Sequence, residues 1–255
     1  MATIAITGST DGIGRAAERR LLAGGHTVVL HARSEARGAP VAEELGRLGS
    51  VRLVTGDLAD LDQVRSLADA LGRQGDLDVL VHNAGVWPPE GAPPSRQGHE
   101  LAFAVNALAP HLLTALLSER VRERLVFLGS GMVGSGRVDP DDLGSPRPPR
   151  RAYADSKALD VVLALAWARH LPSLRVGAVD PGWVRTKLAS PGAPGDVEDG
   201  AGRVARAAAG EWAGGYTAGS RRARIPRALE DPDLQDRVLA AMDRLAGVTS
   251  AGPRP

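Results

Sequence analysis

Tyr153 and Lys157 are the two side chains in this sequence best suited to proton chemistry. They stand four residues apart in a segment, residues 153–170, whose pattern predicts a helix. In a helix this spacing places both on one face, about 6 Å apart along the axis. A tyrosine has a pKa of about 10, which a neighbouring ammonium lowers by stabilising the phenolate. The phenol could then exchange a proton with a carbonyl or an alcohol oxygen; a surface pair without chemistry is the alternative.

Ser130 and Asn106 could support that pair. Ser130 follows a predicted strand, and its hydroxyl could donate a hydrogen bond to the substrate oxygen. Asn106 stands four residues before Pro110, which has no N–H, so a helix there would leave the Asn106 carbonyl free to hold a water. That water could relay protons between Lys157 and solvent. Alternatively, Pro110 ends one helix and Asn106 caps the next.

A glycine-rich turn between the first predicted strand and the first predicted helix indicates a phosphate-binding site. Glycines let the backbone approach a pyrophosphate, and the helix N-terminus adds N–H donors and a positive dipole. The placement directly after a strand makes this a dinucleotide-binding pattern. The residues predicted to contact the cofactor here are Gly8, Ser9, Thr10, Asp11, Gly12, Ile13 and Gly14.

Two further short motifs follow later strands. After the third strand, the Asp57 carboxylate could accept a hydrogen bond from an adenine amine while Leu58 packs against the ring. After the fourth come Asn83, Ala84 and Gly85, small residues that leave room for a cofactor. Each motif alone could be an ordinary turn. Because the carboxyl ends of parallel strands share one edge, together they predict one cofactor crevice.

Arg33 predicts which nicotinamide cofactor is preferred. An NAD-binding chain usually has Asp or Glu near the end of the second strand, where the carboxylate holds the ribose 2′-hydroxyl. Here the strand ends in His31, Ala32 and Arg33, and a guanidinium can pair with a 2′-phosphate. We therefore predict NADP(H) in preference to NAD(H).

The elements that must position these residues alternate along the chain. Short apolar runs predict strands, and the longer segments between them predict helices, with Asp60 and Gln63 as a capping pair for the third helix. This alternation predicts an α/β fold: a single Rossmann-type, doubly wound parallel sheet with helices on both faces. The predicted strands are 3–7, 27–32, 51–55, 79–82, 125–129 and 175–179, and the predicted helices are 13–24, 35–48, 61–72, 97–120 and 153–170.

Composition limits the function classes. The 255 residues, 43% of them hydrophobic, suit one domain over residues 1–255, with substrate loops near 87–98, 131–151 and 188–210. The absence of cysteine excludes a disulfide framework, a thiolate nucleophile and a Cys-ligated metal, and we predict no metal site. A net charge of +1 argues against nucleic-acid binding, and no stretch predicts a targeting signal or a membrane span. We expect a cytoplasmic protein.

These residues resemble the short-chain dehydrogenase/reductase family over roughly residues 3–188. The resemblance implies a catalytic tetrad of Asn106, Ser130, Tyr153 and Lys157, with Lys157 also bonded to the nicotinamide ribose. It adds a later cofactor segment containing Pro181, Gly182, Val184 and Thr186, of which the last two would contact the carboxamide. Only two of the 31 basic residues are lysines, and a compact, rotatable ammonium suits the position of Lys157 better than a planar guanidinium.

Within that family the chain is most similar to the retinol-dehydrogenase-like and WW-domain-containing oxidoreductase branch. The similarity lies in Ala32 and Arg33, in the stretch from Tyr153 to Lys157, and in the long separation between Ser130 and Tyr153. The chain departs from the branch at Asp180, where a histidine usually precedes the Pro-Gly pair, and we expect neither a membrane anchor nor a WW domain. The substrate is therefore not carried over.

Two tryptophans and one helix indicate what lies around the site. Trp87 and Trp183 follow cofactor motifs and could line an apolar substrate pocket, or simply pack in loops. Residues around 188–210 are expected to form a mobile lid. The helix at 153–170 is apolar on more than one face, which could mark the interface of a homodimer or homotetramer, although the 131–151 segment could block it.

The leading hypothesis is an NADP(H)-dependent enzyme that interconverts a carbonyl and an alcohol by hydride transfer, with an apolar small-molecule substrate and Tyr153 as general acid and base. The alternative is a non-catalytic NADP(H)-binding regulator on the same fold. The combination of Tyr153 and Ser130 favours the enzyme, because a pure binder needs neither. A nucleotide-sugar epimerase is disfavoured, since no second domain is present to hold the sugar nucleotide.

Overall fold

An eight-stranded sheet forms the centre of the computed structural model, which describes residues 1–188 and 192–250. The strand order is β3-β2-β1-β4-β5-β6-β7-β8; all neighbours pair in parallel except β8, which pairs antiparallel with β7. The strands are β1 Thr3–Ile6, β2 Thr27–Ala32, β3 Val51–Thr55, β4 Leu77–His82, β5 Val121–Leu128, β6 Arg175–Asp180, β7 Gly215–Ala218 and β8 Arg221–Arg222.

Helices cover both faces of the sheet. They are α1 Gly12–Ala23, α2 Glu35–Gly46, α3 Leu61–Gly72, α4 Leu101–Phe103, α5 Ala109–Leu117, α6 Pro149–His170, α7 Val197–Ala209 and α8 Pro232–Ala246. One apolar core joins the sheet to α3, α5, α6 and α8, and a second joins it to α1, α2 and α7. Strands buried on both faces need apolar side chains pointing both ways, which explains the continuous apolar runs. The predicted doubly wound α/β fold is confirmed.

The order of the strands creates the crevice. The chain moves outward from β1 to β3, then crosses back so that β4 pairs with the other side of β1. Loops that follow β1 and β4 therefore leave the sheet in opposite directions, and the space between them is where doubly wound sheets bind ligands. The predicted cofactor motifs begin at this edge.

The predicted helix over 97–120 differs most from the structure. It begins at Leu101, because the Glu100 carboxylate accepts hydrogen bonds from the N–H groups of Ala102 (3.0 Å) and Phe103 (2.7 Å). Between α4 and α5 the backbone forms a π-helix, Ala104–Leu108, directly before the proline at position 110. The wider turn accommodates a proline that cannot donate to the carbonyl four residues earlier. The helix thus continues through Pro110, and Asn106 does not cap a new one.

The C-terminal third also corrects the predictions. Residues 197–209, expected to belong to a mobile lid, form helix α7, which packs against α1. Its Asp196 N-cap accepts the Glu198 N–H at 2.8 Å, and one face is apolar. Residues 189–191 of the expected lid lie outside the described residues. Strands β7 and β8 and helix α8 were not predicted.

Two other boundaries move: α6 begins at Pro149 rather than at 153, and β5 begins at Val121 rather than at 125. Proline fits the first turn of a helix, where its missing N–H has no intrahelical partner to lose. In the part of the chain that the structure describes, no helix is both long and apolar enough to cross a membrane.

Candidate active site and cofactor cleft

The glycine-rich turn lies at the crevice, between the end of β1 and the start of α1. Asp11 caps α1 by accepting the Gly12 N–H at 2.8 Å. Gly8 has a φ of +64°, and a Cβ built on it would lie 2.7 Å from the Cα of Ala84. Only glycine therefore allows the turn after β1 to touch the turn after β4.

Asn83 holds this turn in place through its side chain. Its Nδ2 donates to the carbonyl oxygens of Thr7 (2.8 Å) and Gly8 (3.1 Å). The Thr7 hydroxyl in turn accepts the backbone N–H groups of Asn83 and Ala84, both at 3.1 Å. Asn83 was predicted as a cofactor contact, and the structure shows that its amide shapes the cleft from within the protein.

His31 is a site residue for which the sequence analysis gave no role. It is buried at the end of β2, where Nδ1 accepts the Gly8 N–H and Nε2 donates to the Gly56 carbonyl, both at 2.9 Å. This pair of bonds fixes the neutral tautomer, and burial lowers the pKa of His31 below its usual value. A histidine in an otherwise apolar buried strand was the signal available in the sequence.

Asp57, Leu58 and Arg33, which were predicted to contact the adenosine part of the cofactor, follow β3 and β2 at the carboxyl edge of the sheet. The Asp57 carboxylate accepts the Ala59 N–H at 3.0 Å, and Leu58 is buried in the core beside it. Arg33 is exposed one residue beyond β2, and it forms no hydrogen bond or ion pair with the residues that the structure describes. A free guanidinium at this position is available to an anion.

The Tyr153 and Lys157 side chains meet on α6 as their spacing predicts. The Lys157 Nζ lies 5.8 Å from the centroid of the Tyr153 ring. It donates to the Leu128 carbonyl at 2.9 Å and to Asp160 Oδ2 at 2.8 Å. Trp87 stacks on the ring of Tyr153: the two ring centroids are 4.6 Å apart, and the angle between the ring planes is 20°.

Asn106 joins the site through its side chain as well as its place in the π-helix. Its Oδ1 accepts the Val86 N–H at 2.8 Å, and its Nδ2 donates to the Val86 carbonyl and to the Ser156 hydroxyl. A Cβ built on Gly85 would lie 3.7 Å from Asn106 Oδ1 and 3.8 Å from Lys157 Nζ. The side chains from α6 and from the π-helix therefore converge on Gly85.

Ser130 follows β5 at the same edge. Its hydroxyl oxygen accepts the Met132 N–H at 3.2 Å, and its carbonyl accepts a hydrogen bond from the Tyr216 hydroxyl at 2.9 Å. Asp180 ends the neighbouring strand and accepts the Gly182 N–H at 2.8 Å. The serine is thus fixed by its own turn and by β7, beside the acidic residue that replaces the expected histidine.

The segment after β6 lies over the start of α1. Gly182 has a φ of +89°, Val184 forms a bridge with Gly195, and a Cβ on Gly12 would lie 3.3 Å from the Thr186 methyl group. The Lys187 ammonium lies 2.5 Å from the Asp11 carboxylate. An open cleft of about 640 Å³ remains between this segment and α1. Pro181 begins the segment, and the Trp183 side chain is 59% exposed.

The residues present fit a nicotinamide dinucleotide. A Cβ would fill the cradle at Gly8, a helix N-terminus faces the cleft, and Arg33 is free to take an anion. Among the described residues, no group of three histidine or carboxylate side chains is arranged to hold a metal ion. A doubly wound sheet with this crevice and a Tyr–Lys pair beside it defines a class of nicotinamide-dependent oxidoreductases.

The family model described as short chain dehydrogenase matches residues 2–195. The chain therefore belongs to the short chain dehydrogenase family, and it is an enzyme that acts on CH–OH or carbonyl groups with a nicotinamide cofactor.

Relatives of known sequence agree with this assignment. The chain is 34% identical to the short-chain dehydrogenase chry4 of Gibberella zeae over 99% of this chain and 100% of that protein. It is 36% identical to the putative daunorubicin C-13 ketoreductase DnrU of Streptomyces sp., over 73% of this chain and 67% of that one. It is 31% identical to human retinol dehydrogenase 14, over 73% and 62%, which confirms the resemblance to the retinol-dehydrogenase-like branch.

Solved structures share the fold. An uncharacterised protein from Mycobacterium paratuberculosis superposes with a TM-score of 0.86 at 26% identity, over 98% of this chain and 95% of that one. The angucycline C-6 ketoreductase LanV with bound NADP superposes with a TM-score of 0.69 at 26% identity, over 86% and 93%.

Proposed function

We propose that this protein interconverts a ketone or aldehyde and the corresponding alcohol with NADP(H), using Tyr153 as the general acid and base. The observation that carries the proposal is the convergence of Tyr153, Lys157 and Asn106 beside Gly85, at the carboxyl edge of the sheet. Two of the relatives named above are ketoreductases, which supports the same chemistry.

The proton chemistry follows from the Tyr153–Lys157 pair. In reduction, the Tyr153 hydroxyl gives its proton to the carbonyl oxygen, and the Lys157 ammonium stabilises the negative charge left on the phenol oxygen. In oxidation, the phenolate takes the alcohol proton. Ser130 donates a hydrogen bond to the reacting oxygen, and the Asn106 carbonyl, beside a proline that cannot donate to it, holds a water that returns a proton through Lys157.

The cofactor supplies or accepts the hydride when it is bound. The glycine-rich turn, Asn83 to Gly85, Asp57 with Leu58, and the segment from Pro181 to Thr186 form its binding cleft. Arg33 pairs with a 2′-phosphate, which gives NADP(H) the advantage over NAD(H). The NADP in the ketoreductase LanV supports this preference.

We also propose that the substrate is apolar. Trp87 covers the ring of Tyr153 and is 39% exposed, and Trp183 is 59% exposed on the segment opposite. Large aromatic side chains left in contact with solvent beside a reactive group provide an apolar wall for a ligand.

The test is hydride transfer itself. A panel of ketones, aldehydes and alcohols is assayed with NADPH or NADP by nicotinamide absorbance, alongside cofactor titration by fluorescence. Tyr153→Phe should lower kcat by about 100- to 10,000-fold while NADPH binding survives, because only the proton donor is lost. Tyr216→Phe removes the other of the two tyrosines and should keep activity within about tenfold of wild type.

Two outcomes would contradict the proposal. Near-normal turnover in Tyr153→Phe would remove Tyr153 from the mechanism. Tight NADPH binding without turnover across the whole panel would instead favour the non-catalytic regulator.

A further inference from the structure

Asp160 forms a buried ion pair with Lys157 that the proton chemistry described above does not use. It lies one turn after Lys157 on α6, with Oδ2 2.8 Å from Nζ. Both residues are almost inaccessible, at 2% exposed for Asp160 and 4% for Lys157. Burying two charges costs several kcal/mol in desolvation, so the stability of the fold does not by itself explain this pair.

The hydrogen bonds of Lys157 define a direction. An ammonium has three N–H donors. The Leu128 carbonyl on β5 takes one at 2.9 Å and Asp160 takes a second at 2.8 Å. The third has no acceptor among the described residues; a Cβ built on Gly85 would lie 3.8 Å from Nζ, and the centroid of the Tyr153 ring lies 5.8 Å from it.

The charges around Lys157 come from three elements. Tyr153 and Asp160 lie on α6 itself, Asp180 ends β6, and Tyr216 on β7 lies near both Asp180 and Tyr153. Burial alone would lower the pKa of Lys157, but the attraction of Asp160 and its hydrogen bond raise it above the usual value. Burial also raises the pKa of Asp160 to about 7, and Lys157 limits that rise.

We propose that Asp160 is a positioning residue for the reaction: it holds the Lys157 ammonium beside Tyr153 and keeps that ammonium charged into the alkaline range. This inference rests on the proposed function, in which reduction needs a protonated phenol and a charged ammonium. A negative charge beside an ammonium raises the pH at which the ammonium loses its proton. Without the charge of Asp160, Lys157 loses its proton at a lower pH and no longer stabilises the phenolate that reduction leaves on Tyr153.

The first test is the pH dependence of carbonyl reduction in Asp160→Asn, which keeps an oxygen for Lys157 and removes the charge. The pH at which kcat falls on the alkaline side of the profile (the alkaline limb) should decrease by about one to three pH units. Near pH 6.5, kcat should stay within about threefold of wild type. Asp155→Asn, a carboxylate on the same helix paired with Arg151, is the matched control and should leave the limb in place. Asp160→Leu removes the oxygen as well and should lower kcat at every pH. An unmoved limb in Asp160→Asn would overturn the proposal.

The second test follows the lysines directly and needs no turnover. Because the chain has only two lysines, protein labelled with ¹³C at lysine Cε gives two resonances, and the exposed Lys187 serves as an internal reference. In the wild-type protein Lys157 should stay charged above the ordinary lysine pKa of about 10.4, and in Asp160→Asn it should titrate at a lower pH. A wild-type Lys157 that loses its charge below that ordinary pKa overturns the proposal, even if Asp160→Asn does not fold.

The two proposals fail separately. A Tyr153→Phe variant with normal turnover removes the proposed function, and the lysine titration then still decides whether Asp160 holds the charge on Lys157. Loss of turnover in Tyr153→Phe with no effect of Asp160→Asn on the limb or on the Lys157 resonance removes only the role of Asp160.

Discussion

The Tyr153 ring is held between two neighbours of different character. The Trp87 indole stacks on it at 4.6 Å, and the Lys157 ammonium lies 5.8 Å from its centroid. Stacking restricts the ring to one orientation, while the ammonium acts on the charge that its oxygen carries. Among the described residues, the other exposed tryptophan, Trp183, makes no ring contact with Tyr153. We therefore expect Trp87 to affect the chemical step and Trp183 to affect substrate binding.

Truncation of each tryptophan should therefore give a different kinetic result. Trp87→Ala removes a stacked pair worth about 0.5–1.5 kcal/mol and should lower kcat roughly two- to tenfold for every substrate. Trp183→Ala should raise KM for bulky apolar ketones and leave kcat unchanged, because its side chain is 59% exposed. Steady-state kinetics over ketones of increasing size measures both effects. Unchanged KM in both variants across all sizes would contradict an apolar pocket.

The proposed preference for NADP(H) rests on Arg33. Its guanidinium is exposed and unpaired among the described residues. A 2′-phosphate could therefore bind the guanidinium without first breaking an ion pair within the protein. Arg33→Asp replaces attraction by repulsion and should lower the ratio of kcat/KM for NADPH to that for NADH by about tenfold or more, since a charged hydrogen bond contributes about 1.5–3 kcal/mol.

The matched control is Arg47→Asp, which changes the same charge at the far end of α2, where Arg47 pairs with Glu43. It should leave the NADPH-to-NADH ratio unchanged. Equal kcat/KM for the two cofactors in the wild-type protein, or the same ratio in Arg33→Asp, would rule out this role for Arg33.

Side chains that define the site by type and spacing could be predicted, and those that support them could not. Tyr153 and Lys157 share a helix face, so a spacing of four residues was sufficient. The partners of His31 are 23 or more residues away in the sequence, and the partner of Ser156 is 50 residues away. The partner of Asp160 is only three residues away. Asp160 looked like an ordinary polar residue of a helix, because nothing local shows that α6 is buried on that side.

The turn between β1 and α1 is the element on which the proposed cofactor binding depends. Its own residues are small, and the bonds that hold it come from the ends of neighbouring strands: His31 from β2 and Asn83 after β4. A flexible loop loses conformational entropy when it binds a ligand. Because these hydrogen bonds already order the turn in the free protein, that loss on binding is smaller.

His31→Ala should therefore weaken NADPH binding although the side chain need not touch the cofactor. The change leaves the Gly8 N–H and the Gly56 carbonyl without their partner, at a cost of about 1–3 kcal/mol in the free energy of unfolding. We expect the Kd for NADPH to rise at least fivefold by fluorescence titration. His31→Gln, which offers both an acceptor and a donor, should recover most of the affinity. Wild-type affinity in His31→Ala would show that the turn needs no anchor.

Elements with a strong apolar pattern were predicted well, and those set by tertiary contacts were not. The strands β1 to β6 needed only their apolar runs, although β3 lies at the edge of the sheet and is only partly buried. The π-helix depends on how one proline is accommodated. The strands β7 and β8 are short, and β8, at the edge of the sheet, consists of two arginines. Helix α7 became visible only through its packing on α1, since alanine, glycine and arginine dominate its sequence.

At the scale of the whole molecule, both faces of the sheet bury titratable side chains. Glu18 on α1 is fully buried, and only Ser9 and the charge of Arg15 oppose the effect of burial on its carboxylate. Burial raises its pKa well above the usual value, as it raises that of Asp160 to about 7. Burial lowers the pKa of His82 to about 3 and also lowers that of His31. The acids and the histidines thus act on stability in opposite directions as pH changes.

Their effects on the free energy of unfolding overlap between about pH 4.5 and 6.5. Each acid binds its proton more tightly in the folded state, so its contribution is complete below the unfolded pKa and is lost as pH rises through the folded one. Each histidine stays neutral in the folded state, so stability is lost as pH falls below about 6.5. The two acids thus partly cancel the slope that these two histidines, together with the part-buried His26 and His99, give the pH profile of the wild-type protein in this window.

Glu18→Gln removes one of the two opposing acids and should tilt that profile. Relative to wild type, its free energy of unfolding should increase by about 1.4 kcal/mol for each pH unit above the ordinary pKa of glutamate, until the folded pKa of Glu18 is passed. Urea denaturation at intervals of half a pH unit measures the difference directly. Glu43→Gln, on the exposed side of α2, should follow the wild-type profile. If Glu18→Gln also runs parallel to wild type, Glu18 ionises in the folded protein as easily as in the unfolded chain, and burial on this face of the sheet carries no pH-dependent cost.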